Sequence, residues 1–343
     1  MSQFGIKGLA ITPPLLGRIS IGNMVERNGK RLPMKDDQIT VTTQFQINRQ
    51  WVKHPLDKEL RLQAEAKATG KSVDELASTD LETMNAKLRV IPVKMLFNDP
   101  TLNLRAEYTC FNSKGRTLCR GNGVDATRMD PNDGSVAKVE CKAAACAYGA
   151  ENRCKPYTRL NVQIDGQKDE LGSFMYRTVG WNSLRALQSK LSLLYGASNG
   201  KLAGLPLELV MRGKSSAQSM GSTFFYLDLE VRSGYSLPKA VKEARAFQQE
   251  WDDAGMSRDA FEEQARQGIA NGMFEDSPDE IDGILEEFFP EVSDDAAVDD
   301  SSANSLRQLL DAENVSLGIT DDSGQASAAL AAKPKQLELA EAE

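Results

Sequence analysis

Four of the five cysteines in a chain of 343 residues fall between Cys119 and Cys154, with the spacing C-x21-C-x4-C-x7-C. That cluster limits the folds open to the segment more than any other feature. Glycine- and proline-bearing runs lie among the thiols, at Cys119-Arg-Gly-Asn-Gly and Met129-Asp-Pro-Asn-Asp-Gly134. Such loops can turn four thiolates inward on one soft, tetrahedral ion. The only histidine, His54, stands far upstream, so Cys119, Cys141, Cys146 and Cys154 are the expected ligands. Zinc is the expected metal, and an iron–sulfur cluster is the alternative that takes the same four thiolates. Cys110 ends the alternating run Leu104–Cys110 and reads as a strand residue, its place in the set left open. Disulfides fit poorly, because Met1-Ser-Gln-Phe-Gly-Ile-Lys7 has no charged head followed by an apolar run. Buried free thiols are the remaining alternative.

Charge divides the chain. Residues 1–230 carry 32 basic and 23 acidic side chains, residues 231–290 carry 6 and 14, and residues 291–343 carry 3 and 12. A basic body followed by an acidic end suits a polyanion partner and a segment that competes for the same surface, or else a tail that only aids solubility. No apolar run approaches the roughly 20 residues of a membrane span, so a cytoplasmic location without membrane contact is expected.

Local patterns predict an α+β fold with a mainly antiparallel sheet. β-branched runs at Gly17–Gly22 and Gln38–Gln44 flank Asn28-Gly29, a hairpin signal. A helix follows His54-Pro55, and a second starts at Ser72, where Glu75 completes a capping box. Strands are predicted at Lys87–Phe97, up to Cys110, at Tyr157–Ile164, Gly172–Thr178, Leu205–Met211 and Thr223–Val231. A helix carries Trp181, Leu184, Leu187, Leu191 and Leu194 at helical spacing. The expected organisation is a body over residues 1–232 with a metal-braced loop insert at about 110–156. An acidic helical extension (233–290) and a disordered acidic tail (291–343) complete it, the tail having too few apolar groups to offset the cost of ordering.

The order Cys119-Arg-Gly-Asn-Gly, Val139-Glu-Cys141, Cys146, Cys154-Lys-Pro, Leu160-Asn-Val-Gln-Ile, Gly172-Ser-Phe-Met-Tyr-Arg-Thr-Val-Gly-Trp-Asn-Ser183 and Gly204-Leu-Pro-Leu-Glu-Leu209 resembles the phage-type recombination directionality factors. The likeness covers roughly residues 10–232 and is most specific from the cysteines through the Gly-Leu-Pro segment. It implies an accessory protein of large serine integrases, with mobile-element relatives often described only as metal-binding. The implied partners are DNA, a site-specific recombinase or a replication protein, and no small-molecule substrate is expected.

Catalysis is not expected. Glu140-Cys141-Lys142 has the Glu-x-Lys form of metal-dependent nucleases, with Asp130 or Asp133 as a third oxygen ligand, but it straddles a thiol. A nuclease is therefore the runner-up. Ser-His-Asp chemistry would have to use His54, which no nucleophile motif accompanies. For DNA, Arg116, Arg120, Arg128, Lys138, Lys142, Arg153, Lys155 and Arg159 surround the cysteines, and Tyr148 and Tyr157 are available to stack on bases. A third reading is an interaction hub without DNA contact, acting through Phe247, Trp251 and Phe261.

Overall fold

The computed structural model describes residues 11–27, 30–47, 50–77, 86–130, 132–215, 223–271 and the helical positions 281, 284 and 288. Within them the backbone builds one large sheet, twelve strands in all, with helices against it. Its main path runs β3 (Gln50–Lys53), β2 (Lys30–Ile47), β1 (Leu15–Arg27), β10 (Ser173–Thr178), β9 (Lys155–Ile164), β5 (Leu104–Phe111), β6 (Thr117–Gly121), β7 (Asp125–Met129), β8 (Val136–Glu140). Only β1 against β10 is parallel on this path; the other pairings are antiparallel. A branch leaves β9 through β4 (Val90–Lys94) to β11 (Leu207–Ser215) and β12 (Thr223–Val231).

Period-two alternation decides which face is core. On β9, Leu160, Val162 and Ile164 are buried in the main apolar cluster with Phe174 and Tyr176 of β10 and Ile19, Ile39 and Val41. Helix α5 (Trp181–Ala197) closes this face with Leu187, Leu191 and Leu194, the stripe its spacing predicts. Helix α1 (Pro55–Thr69) adds Leu56 and Leu60. His54 caps α1, its Nδ1 accepting the Leu56 N–H at 3.2 Å while its ring packs edge-on to Phe174. The sole histidine thus serves the fold. Ser72 and Glu75 form the expected capping box at α2 (Val73–Leu76), and α3 (Pro100–Asn103) is a single turn before β5.

The cysteine region differs from the loop insert anticipated above. Residues 104–140 form a regular meander, β5 to β8, that widens the sheet. Then come a 3-10 turn at Ala143–Ala145, the short α4 (Ala147–Glu151), and β9 in the centre of the sheet. Backbone ladders supply the order that sequence spacing assigned to a metal. The physical reason is pairing: Cys110 and Cys119 sit on strands whose amides and carbonyls match, while Cys141, Cys146 and Cys154 lie between β8 and β9.

Two further helices pack on the body. Helix α6 (Leu237–Asp253) places Phe247 and Trp251, and α7 (Arg258–Asn271) places Phe261, around the Arg258 guanidinium, which lies 3.5 Å over the Trp251 ring. Phe261 stacks on Phe97 at 5.3 Å, and Glu262 accepts the Asn98 N–H at 2.6 Å. All three rings are half-buried, packed around Arg258 and Phe97. No helix among the described residues is long and apolar enough to cross a membrane. The acidic tail at 291–343 lies outside the described residues.

Candidate functional site

All five cysteines line one cavity at the β5–β8 end of the sheet, with Tyr108, Arg128 and Tyr148 among its other walls. The ladder brings the first two together, since Cys110 on β5 pairs with Cys119 on β6, and Cys119 with Arg128 on β7. Cys141 follows β8, its N–H donated to the Val124 carbonyl at 2.8 Å. Gly121 leaves room for it: a Cβ there would stand 2.7 Å from the Cys141 sulfur and 2.8 Å from the Ala126 methyl. Cys146 caps α4, and its sulfur accepts the Gly149 N–H at 3.3 Å. Cys154 closes the turn by donating its N–H to the Gly149 carbonyl at 2.8 Å, after Arg153 in a left-handed conformation at φ 53°.

The thiols are not equivalent. The Cys110 thiol hydrogen-bonds with Cys119 and Cys154, which holds its own proton and pushes its pKa up. The same contacts pull the Cys119 and Cys154 thiols down, Cys119 with added help from the Arg128 guanidinium. Burial pushes the Cys141 thiol up, against the Gly123 amide that bonds it. Arg128 stacks 3.9 Å over the Tyr148 ring, and its Nη2 lies 3.8 Å from the Cys146 sulfur.

One expectation needs correction. Among the described residues, no group of three or more His, Cys, Asp or Glu side chains stands in an arrangement that could hold a metal ion. All five cysteines are free thiols. The fold therefore shows no four-cysteine metal-braced loop; it shows thiols gathered in one cavity and hydrogen-bonded to one another. Cys119, Cys141, Cys146 and Cys154 line the same cavity as Cys110.

The cations predicted for DNA contact are sorted by the sheet. Arg116, Lys138, Lys142 and Arg153 are exposed, and Lys155 is half-buried. Lys142 pairs with Glu140 at 3.2 Å. Arg120 and Arg159 are buried, and Arg159 bonds Glu107 at 3.3 Å. Arg128 faces the thiols. Of the two tyrosines proposed to stack on bases, Tyr148 carries the Arg128 guanidinium and Tyr157 is fully buried.

The nuclease constellation is spread along a hairpin. The β7–β8 register sets Asp125 against Glu140 and Met129 against Val136, so Asp130 and Asp133 turn the far end, about 13 Å of strand away. What sequence reading missed is Tyr108, which borders the thiols and meets Trp181 of α5 edge-on at 6.1 Å, and the part Cys110 plays. Alternation marked Cys110 as a strand residue, but register alone put it opposite Cys119.

The family model described as Gp3-like, recombination directionality factor-like, matches residues 16–232. No curated protein and no solved structure matches. The matched stretch begins in β1 and ends one residue past β12, so it holds the whole sheet and the thiol cavity and leaves α6 and α7 outside. With well over half its length covered by that model, the chain belongs to the recombination directionality factor-like family.

Proposed function

We propose that the protein is a non-catalytic accessory factor of mobile-element DNA recombination or replication whose thiol cavity takes one soft metal ion. Zinc is the first candidate and an iron–sulfur cluster the second. Cys119, Cys141, Cys146 and Cys154 would hold it, with Cys110 behind them as a proton-bearing thiol. The observation that carries this reading is the convergence of every cysteine of the chain on one cavity of the family-matched body. When bound, the ion would supply a cross-link between β6, the end of β8 and the α4 turn, and no reaction. Recombination as the setting rests on the family, which is of an accessory kind.

The partner is DNA, a site-specific recombinase, or both, met through the exposed cations Arg116, Lys138, Lys142 and Arg153 beside the cavity. Elemental analysis of protein purified anaerobically tests the metal: about one zinc per chain, lost in Cys141→Ser, is the expected result. Iron with sulfide would select the cluster, and neither would overturn the metal reading. Partner choice is read from salt. Phosphate contacts make affinity fall steeply with ionic strength, whereas an apolar recombinase interface changes little.

A further inference from the structure

Strand β8 ends the main path of the sheet, and among the described residues no strand pairs with its outer edge. Val136, Ala137, Lys138 and Glu140 are exposed, Val136 at 54%, and Val139 is half-buried against the thiol cluster. The pairing with β7 runs from Asp125–Glu140 to Met129–Val136 in unbroken register. Which backbone groups stay open follows from the two ends of that ladder. Cys141 donates its N–H to the Val124 carbonyl at 2.8 Å, and Asp130 donates to the Ser135 carbonyl at 2.8 Å. Hydrogen-bonded positions alternate along an antiparallel pair, so Ala137 and Val139 turn their amides to β7. Val136, Lys138 and Glu140 turn theirs to the open edge.

Natural edges are blunted by proline, by a bulge or by an isolated charge. β8 has neither proline nor bulge, and its two charges, Lys138 and Glu140, are opposite in sign. Such a strand complements itself. Around a twofold axis at Val139, antiparallel pairing sets Lys138 of each copy against Glu140 of the other, at positions whose amides and carbonyls are open. Residues so opposed have Cβ atoms about 5 Å apart, within reach of an ion pair. The neighbouring registers that use the same open groups fail on charge. Centred on Lys138, pairing would put lysine against lysine; centred on Glu140, glutamate against glutamate; centred on Ala137, it leaves both charges unmatched. Within the chain, Glu140 already stands opposite Asp125, a like-charge pair that a second cation relieves. Its own partner Lys142, 3.2 Å away, is as exposed as Glu140 itself, which leaves the carboxylate open to that cation.

We infer that β8 is a dimer edge, at which two copies of this chain join by antiparallel β8–β8 pairing centred on Val139. A twofold contact needs one patch that matches itself, and the alternation of charge at Lys138 and Glu140 supplies it. Val139 meets Val139 of the second copy on the face that carries the thiol cluster, so the two cavities stand side by side. A ladder of five-residue strands is short, and the association is therefore weak and concentration-dependent. Neither metal nor DNA takes part in the pairing, so its failure would leave the proposed function standing.

Sedimentation velocity on the full-length chain under reducing conditions, from low to high micromolar concentration, tests it. The wild type should pass from monomer to dimer. Lys138→Glu and Glu140→Lys should each raise the dimer Kd about tenfold or more, since each sets like charges against one another in both pairs. The two variants mixed in equal amounts should recover the dimer, because the exchanged charges match again when Val139 is the centre. The chain carrying both changes should recover it as well. Should either variant fail to fold by circular dichroism, amide hydrogen exchange on the wild type decides: the Lys138 and Glu140 amides should slow as concentration rises, while that of Ala137 holds. A wild type that stays monomeric, a dimer indifferent to both changes, a mixture that stays monomeric, or edge amides that exchange alike at low and high concentration would each overturn the inference.

Discussion

Cys110 and Cys119 face each other across the β5–β6 ladder, and the hydrogen bond between their thiols makes one the proton holder and the other thiolate-prone. That single pairing explains why five cysteines in one cavity need not be five ligands. Cys110 is fully buried beneath the others, while Cys146 and Cys154 are half-buried at the rim.

The division predicts different outcomes for two thiols. Cys110→Ala should keep about one metal per chain and cost roughly 1–2 kcal/mol through the lost buried contact. Cys154→Ser should lose the metal. Elemental analysis beside urea unfolding reads both, and loss of metal in Cys110→Ala would move Cys110 into the ligand set.

Asp57 anchors α1 to the sheet. Fully buried, it accepts the Val41 N–H at 3.0 Å and the Arg61 Nε at 2.8 Å. Asp57→Ala leaves the Val41 amide without its acceptor and takes the carboxylate from Arg61, whose guanidinium keeps only Gln38 and the Ile39 carbonyl, at a cost of about 3–5 kcal/mol. Thermal unfolding followed by circular dichroism should show a large fall in Tm, and Asp57→Asn a smaller one.

Gly204, in the Gly-Leu-Pro segment that carries the family likeness, has φ 76° and faces the Phe247 ring inside van der Waals contact of where a Cβ would stand. Gly204→Ala combines left-handed strain with overpacking, about 2–4 kcal/mol together. Because Phe247 must move, α6 should loosen as well. Amide hydrogen exchange is expected to rise in α6 before it rises in β9.

Arg258 is a buried cation under Trp251, its Nη1 donating to the Leu96 carbonyl at 3.1 Å while Nε and Nη2 find no hydrogen-bond partner among the described residues. Burial pushes its pKa down. Arg258→Met, similar in reach without the desolvated charge, should change stability by less than about 1 kcal/mol, whereas Arg258→Ala should cost about 2–3 kcal/mol through the emptied aromatic cage. Urea unfolding monitored by tryptophan fluorescence separates the two.

Much of the secondary structure was readable from local chemistry. The Ser72–Glu75 box, the α5 leucine stripe and the alternation of Tyr157–Ile164 each follow from a few neighbouring side chains. The cysteine region was misread as a loop because its strands are short and polar. Thr117–Gly121 and Val136–Glu140 are strands only by virtue of the neighbours they pair with.

By itself the sequence determined the clustering of thiols, the basic body with an acidic end, and the family, since these depend on residue type and spacing along the chain. Only the tertiary structure decided that Cys110 faces Cys119, that Arg120 and Arg159 are buried while Arg116 and Lys138 are exposed, and that Ile284 and Phe288 reach Tyr157. Those outcomes depend on strand register and on contacts between residues more than a hundred positions apart. A one-residue shift in register reverses which face every side chain occupies, and composition carries no record of it.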